Sequence, residues 1–205
     1  GKSTMGPRGD AILQMDWMTG QIVNELKAQG IYDDTVIIFS SDNGPVLDDG
    51  YDDHAVAMLG DHDPSGPFRG GKYSAYEAGT RVQMIVTYPN GMINEGDSDA
   101  LVSHIDFYRS LASLVGVDLP NTIAIDSENV LPALLDANAK GRQEMLEESF
   151  TLAIRDGNFK YIAPFSGTTP AWLNNKDIEN GLAPVGQLFD LSRSEEHTSE
   201  LQSPY

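Results

Sequence analysis

TVIIFSSDNG, residues 35–44, carries the reading of the fold. Thr35 to Ser40 is an unbroken apolar, β-branched run, too short for a helix and flanked by turn residues. Such a run directly after a helix reads as a strand buried on both faces of a parallel sheet. The helix lies upstream. From about Arg8 to Gln29, residues Ile12, Met15, Ile22, Val23 and Leu26 recur near one face at helical spacing. Gly30 follows, where a helix C-terminus prefers it, and Asp33-Asp34 turns the chain into the strand. This front segment is therefore expected to be an αβ unit of a doubly wound sheet.

Working outward, residues 41–78 form a long irregular stretch rich in Gly, Asp and Pro. That length without regular structure is uncommon inside a domain unless it is functional. Arg81 to Tyr88 reads as the next strand, closed by the turn Pro89-Asn90-Gly91. Ser103 to Val115 reads as a helix. Ser103 and Asp106 are spaced as a capping box, and Ile105, Leu111, Leu114 and Val115 are expected to face inward. Asn129 to Asp136 reads as a short helix. After about Glu144 the pattern changes to short strands at Phe150–Arg155, Phe159–Ile162 and Gln187–Leu191, with Asp156-Gly157-Asn158 as a turn. The expected organisation is residues 1–143 as part of an α/β catalytic domain and 144–192 as a small antiparallel α+β subdomain. Residues 193–205 read as a non-native tail, because Arg193 to Ser203 (RSEEHTSELQS) reproduces the translation of a common sequencing adapter.

The 205 residues are 40% hydrophobic, a globular composition. A formal charge of -18 argues against a general nucleic-acid binder, which needs a basic face for phosphates. It does not argue against a small anionic substrate, because a few local cations dominate inside a cleft. With no cysteine, disulfides and Cys-based zinc sites are excluded. No apolar run is long enough to cross a membrane, and the polar, glycine-rich Gly1 to Asp10 is not a signal peptide. The absence of Met at position 1 adds the expectation that the chain starts inside a longer protein.

Two stretches carry chemistry. Asp42-Asn43 follows the strand directly, and ligands of open α/β sheets bind beyond the carboxyl ends of the strands. A carboxylate beside a carboxamide offers two hard oxygens, which suit calcium, although Asp-Asn-Gly is equally a turn sequence. The second stretch is Pro67-Phe68-Arg69-Gly70-Gly71-Lys72, followed by Tyr76-Glu77-Ala78-Gly79-Thr80-Arg81. Paired glycines let a backbone come close to a ligand, and Lys72 supplies a compact cation for sulfate or phosphate oxygens.

FSSDNG, GPFRGGKYSAYEAGTRV, SHIDFYRSLASLVGV, IRDGNFKYI and QLFDLS, in this order and spacing, resemble the type I sulfatases along nearly all of residues 1–192. The resemblance implies the alkaline phosphatase superfamily fold. It implies calcium ligation by Asp42 and Asn43, and sulfate binding with leaving-group stabilisation by Lys72. It further implies hydrolysis of a sulfate monoester, either a small sulfate ester or a sulfated sugar, through a formylglycine. By family habit the location is periplasmic, secreted or lysosomal.

The chain departs from the family where the nucleophile is concerned. The motif Cys or Ser-x-Pro-x-Arg, which becomes formylglycine, has no counterpart in the expected place. Ser65-Gly66-Pro67-Phe68-Arg69 fits the pattern, but it overlaps the lysine motif, follows the Asp-Asn pair and lacks the Thr-Gly that should come next. The aspartate pair that completes the calcium site is missing as well, so the chain is expected to be inactive alone. Gln83 and Arg109-Ser110 are smaller departures.

His62 is a candidate substrate contact from the same loop, and Arg69 is a candidate either for substrate contact or for orienting the loop. Asp48, Asp49, Asp52 and Asp53 fit no EF-hand spacing and read as a solvated loop. His54 reads as exposed and His104 as a packing or capping residue. Trp17 and Trp172 have no assignable role in the sequence; Trp172 lies in the long loop from Pro164 to Leu182, where an aromatic could line a substrate cleft. Two other readings stand beside this one. A phosphate or phosphonate ester hydrolase of the same superfamily usually has Asp-His where this chain has Asp42-Asn43. The other is a non-catalytic, metal-binding remnant.

Overall fold

The computed structural model describes residues 1–173 and 178–192. Helix α1 spans Gly6–Ala28. It begins two residues before the predicted start because Pro7 presets the first turn. Gly30, at φ +69, takes the chain out of the helix. The expected inward stripe is not covered: Ile12, Met15 and Ile22 are exposed, as are Trp17 and Met18. The helix satisfies its own backbone hydrogen bonds even though no described element covers that face. Among the described residues, α1 is tied to the 3-10 turn Tyr32–Asp34 and, through Arg8, to Asp53, whose Oδ2 lies 2.9 Å from Arg8 Nη2.

Strand β1, Ile37–Ser40, occupies the predicted run and is half-buried along its length. Its partner is β2, Met84–Thr87, in antiparallel register from Ile37 opposite Thr87 to Ser40 opposite Met84. The parallel pairing expected of β1 is therefore corrected. The chain returns from the 41–80 excursion in the opposite direction, so the two strands form a two-stranded antiparallel sheet. Between the two strands stands the short helix α2, Glu77–Thr80.

The predicted helix at 103–115 is a 3-10 turn, His104–Asp106, running into α3, Phe107–Leu114. Ser103 and Asp106 form the capping box their spacing predicts. The inward face is different, however. Ile105, Leu111 and Val115 are exposed, and the buried positions are Asp106 and Ser110. Asp106 receives Arg142 at 2.7 and 2.6 Å and the backbone N–H of Glu128 at 2.8 Å, while Ser110 Oγ accepts the Val130 N–H at 2.9 Å. Hydrogen bonds, not apolar contact, dock this helix against the segment leading to α4, Leu131–Leu135.

Four antiparallel strands follow in sequential order: β3 Glu144–Ser149, β4 Thr151–Asp156, β5 Phe159–Ile162 and β6 Gln187–Asp190. Strand β3 was not predicted, because Glu-Met-Leu-Glu-Glu-Ser is acidic and poor in β-branched residues. The sheet's two faces are inverted relative to simple polarity. Lys160, Glu147, Gln187 and Thr151 are buried with Ala153, Ile162 and Phe189, while Leu146, Leu152, Ile154, Phe159, Tyr161 and Leu188 are exposed. The buried face packs on the segment after Lys72. Ala75, Ala153, Ile162 and Phe189 form one apolar cluster, with Tyr76 and Leu191 against it. Fully burying a side chain the size of Ile162 is worth about 1.5–3 kcal/mol. This sheet thus supplies the surface on which the Lys72 loop rests. The adapter-like stretch Arg193 to Ser203 lies outside the described residues.

Candidate functional site

The strand-end loop and the lysine loop are laced together through their backbones. The Lys72 N–H donates to Pro45 O at 2.7 Å, and the Gly44 N–H donates to Gly79 O at 3.0 Å. Glycine is required at these crossings. A Cβ on Gly44 would overlap the Ala78 carbonyl, and one on Gly71 would come within 2.6 Å of Pro45 O. Gly71, read in the sequence as making room for a ligand, instead lets two loops touch, and Gly44 does the same at the other crossing. That contact brings the segment of Asp42 and Asn43 beside the segment of Lys72.

Asp42 is exposed and Asn43 half-buried. Asp42 Oδ1 accepts the Asn43 N–H at 3.0 Å, and Asn43 Nδ2 donates to Gly44 O at 2.9 Å. The second bond fixes the carboxamide and leaves its oxygen as the group available to a ligand. The donor chemistry fits calcium, since both residues offer hard oxygens, but calcium takes six to eight of them. No group of three or more His, Cys, Asp or Glu that could hold a metal occurs among the described residues. These two residues are contributors to a site, and not a site by themselves.

Lys72 is half-buried, with Nζ 5.1 Å from the centroid of the Tyr73 ring. A second clamp holds its loop from the other side. Ser74 Oγ donates to Glu179 O at 2.7 Å, the Ala75 N–H donates to Asn180 O at 3.0 Å, and Arg69 Nε meets Glu179 Oε2 at 2.9 Å. Arg69 also lies over the Tyr76 ring at 4.2 Å. Its guanidinium thereby braces the loop. His62 is exposed on a turn, where its backbone N–H donates to Leu59 O at 3.4 Å. His104 does more than cap: Nε2 lies 2.9 Å from Ser40 Oγ at the end of β1. A cleft of about 630 Å³ opens beside this pair, between β2 and β3, and is lined by Glu77, Glu147 and Arg155 but by neither Lys72 nor Asn43. Size does not make it the site; the oxygen donors and the loop lysine are elsewhere.

Sequence reasoning missed one group. Glu77, five residues after Lys72, is buried with its carboxylate 3.0 Å from Lys160 Nζ and 3.2 Å from Arg155 Nη1, and Lys160 reaches Glu147 Oε2 at 2.7 Å. Thr80 Oγ1 donates to the same Glu147 oxygen at 2.8 Å. The signal was a lysine between Phe159 and Tyr161 on a strand whose inward positions alternate with them.

The family model described as Sulfatase matches residues 2–117. Over its whole length the chain is 43% identical to an N-acetylgalactosamine-6-O-sulfatase of Bacteroides thetaiotaomicron, covering 40% of that protein. Over 71% of its length it is 35% identical to human steryl-sulfatase, covering 24% of it. A solved structure from work on glycosaminoglycan metabolism by Bacteroides thetaiotaomicron superposes with a TM-score of 0.87 at 45% identity, covering 94% of this chain and 40% of that one. The chain thus spans about two fifths or less of the relatives it matches.

Proposed function

The chain belongs to the sulfatase family, and we propose that it is the part of a calcium-dependent sulfuric ester hydrolase that contacts the sulfate group. The lacing of the Lys72 loop to the Asp42-Asn43 loop, through Lys72 N–H to Pro45 O and Gly44 N–H to Gly79 O, carries this reading. The backbone of Lys72 is thereby held against the loop that carries Asp42 and Asn43, which supports joining the cation and the two oxygen donors in one site.

Asp42 and Asn43 would hold calcium together with ligands from other residues. Calcium, when bound, supplies Lewis-acid polarisation of the ester sulfate. Lys72 binds a sulfate oxygen and stabilises the charge that develops as the alcohol departs, an effect strongest where the cation is fixed beforehand. The clamp of Glu179 and Asn180 on Ser74, Ala75 and Arg69 supplies that fixing. Arg69 acts by orienting the loop, and His62 is kept as a contact for the part of the substrate beyond the sulfate. The formylglycine nucleophile comes from residues other than these 205, and the chain alone is inactive. The substrate is a sulfated sugar, as the name of the 43%-identical relative supports. The location is periplasmic, secreted or lysosomal; no described helix is long and apolar enough to cross a membrane. A phosphate-ester reading is less well supported, because a carboxamide at position 43 favours a hard cation over the softer metals that imidazole suits.

The test is an assay of sulfate-ester hydrolysis, with calcium, on this chain and on a gene product that contains it together with a Cys- or Ser-x-Pro-x-Arg motif. The chain alone gives no turnover. The longer protein turns over, and Lys72→Ala slows it about 10²–10³-fold. Turnover by the chain alone, or indifference of the longer protein to Lys72→Ala, would overturn the proposal.

A further inference from the structure

Three aromatic side chains from distant points of the chain meet beside Lys72. The rings of Tyr73 and Trp172 lie 4.9 Å apart at 75°, and those of Trp172 and Phe150 lie 6.0 Å apart at 55°. None belongs to the apolar core. Trp172 is 46% exposed and Phe150 38%. Two of the three sit on left-handed backbone, Tyr73 at φ +77 and Phe150, between β3 and β4, at φ +61. That conformation disfavours bulky side chains. Strain that persists at non-glycine residues is held by its surroundings and clusters at functional sites. Here it holds two rings against a third that water still reaches.

Lys72 Nζ and the Trp172 indole both lie against the Tyr73 ring, so a cation and an open aromatic surface stand one ring apart. That pairing fits a ligand with an anionic group at one end and a flat C–H face next to it. The negative face of an aromatic ring attracts the polarised C–H bonds of such a face. A pyranose ring bearing a sulfate has this form. A platform that water reaches leaves sugar hydroxyls hydrated, which suits a polar ring better than the large apolar body of a sterol. The acidity of the chain, which remains strong without residues 193–205, disfavours a long polyanion relative to a single sulfated unit. We infer that Trp172, backed by Tyr73 and Phe150, is the stacking platform for the pyranose ring of a sulfated sugar whose sulfate is held by Lys72. This rests on the proposed sulfate-binding role of Lys72.

The test uses the full 205-residue chain. Trp17 and Trp172 are its two tryptophans, and Trp17 is exposed on α1, so Trp17→Phe gives a background in which fluorescence reports Trp172 alone. The probes are N-acetylgalactosamine 6-sulfate, unsulfated N-acetylgalactosamine, phenyl sulfate and inorganic sulfate, with calorimetry alongside. The sulfated sugar shifts Trp172 emission and binds more tightly than the other three. Trp172→Ala weakens its binding about tenfold and leaves inorganic sulfate binding unchanged, which shows that the variant is folded, while Trp172→Phe restores part of the loss. Lys72→Ala removes both. Sugar binding indifferent to Trp172→Ala, or phenyl sulfate bound as tightly as the sulfated sugar, overturns the platform while leaving the sulfate site standing. A chain that binds no sulfate overturns both.

Discussion

The ammonium of Lys160 lies 3.0 Å from Glu77 Oε1, with both side chains almost wholly removed from solvent. Glu147 approaches the same ammonium at 2.7 Å, and Arg155 and Arg81 approach the Glu77 carboxylate at 3.2 and 3.6 Å. The charges come from α2, β3, β4 and β5, so the network joins the segment just after Lys72 to three strands of the four-stranded sheet. No buried side-chain nitrogen or oxygen lacks a partner among the described residues. Removing one member leaves others buried and unpaired, which is costly in a way that a surface pair is not. Lys160→Met is therefore expected to destabilise the chain by about 3 kcal/mol or more. Urea unfolding measures this; a loss under about 1 kcal/mol, the range of surface pairs, would contradict the network's role.

Asp106 contributes to the response to acid, alongside Asp10, Asp53 and Asp136, whose carboxyls are also held below the ordinary value. Burial pushes its carboxyl pKa up, but the Arg142 guanidinium and the N–H groups of Glu128 and Ser103 outweigh burial and hold it below the ordinary carboxylate value. A carboxyl depressed in the folded state binds its proton more readily once unfolded. Its contribution is thus complete above the unfolded value, near pH ~4, and is lost as pH falls through the lower folded value. Urea midpoints of the parent should hold steady from neutral pH to about 5 and drop below 4. Asp106→Asn should lower the neutral-pH midpoint and flatten the acid limb; an unchanged limb would place the sensitivity elsewhere.

Much of this was legible in the chain. The run at 35–40, the strand at 81–88, the capping box at 103–106 and the hairpin turn at 156–158 are local signals, and the structure has an element at each. What failed was everything that depends on a neighbour. The stripe of α1 and the apolar side of α3 have helical spacing but are exposed, because periodicity reports a face and not what covers it. The antiparallel pairing of β1 with β2 is a property of chain direction, which the composition of β1 does not carry. Lys160 and Glu77 escaped notice because a buried ion pair is written in two places 83 residues apart. Gly71 was flagged for the right reason, close approach, with the wrong partner, since it is Pro45 O that comes close; Gly44, read only as part of a turn, makes the matching approach to Ala78 O.

The two oxygen donors carry a prediction about metal. Asp42 and Asn43 supply a small part of the six to eight oxygens calcium takes. Calcium should bind this chain weakly, with a Kd of roughly 10⁻⁴–10⁻³ M or higher, and Asp42→Asn should weaken it further. Terbium luminescence displaced by calcium reads this directly. Micromolar or tighter binding would mean that the chain holds a complete site, contrary to the half-site reading.

The central claim is that Lys72 and the strand-end loop form one sulfate-contacting surface. Amide NMR of the labelled chain, titrated with sodium sulfate at constant ionic strength, tests it most directly. The account predicts saturable shifts confined to residues 41–46 and 69–79, with a millimolar Kd, abolished by Lys72→Ala and untouched by Lys140→Ala. Shifts that do not saturate, or that survive Lys72→Ala, would contradict it.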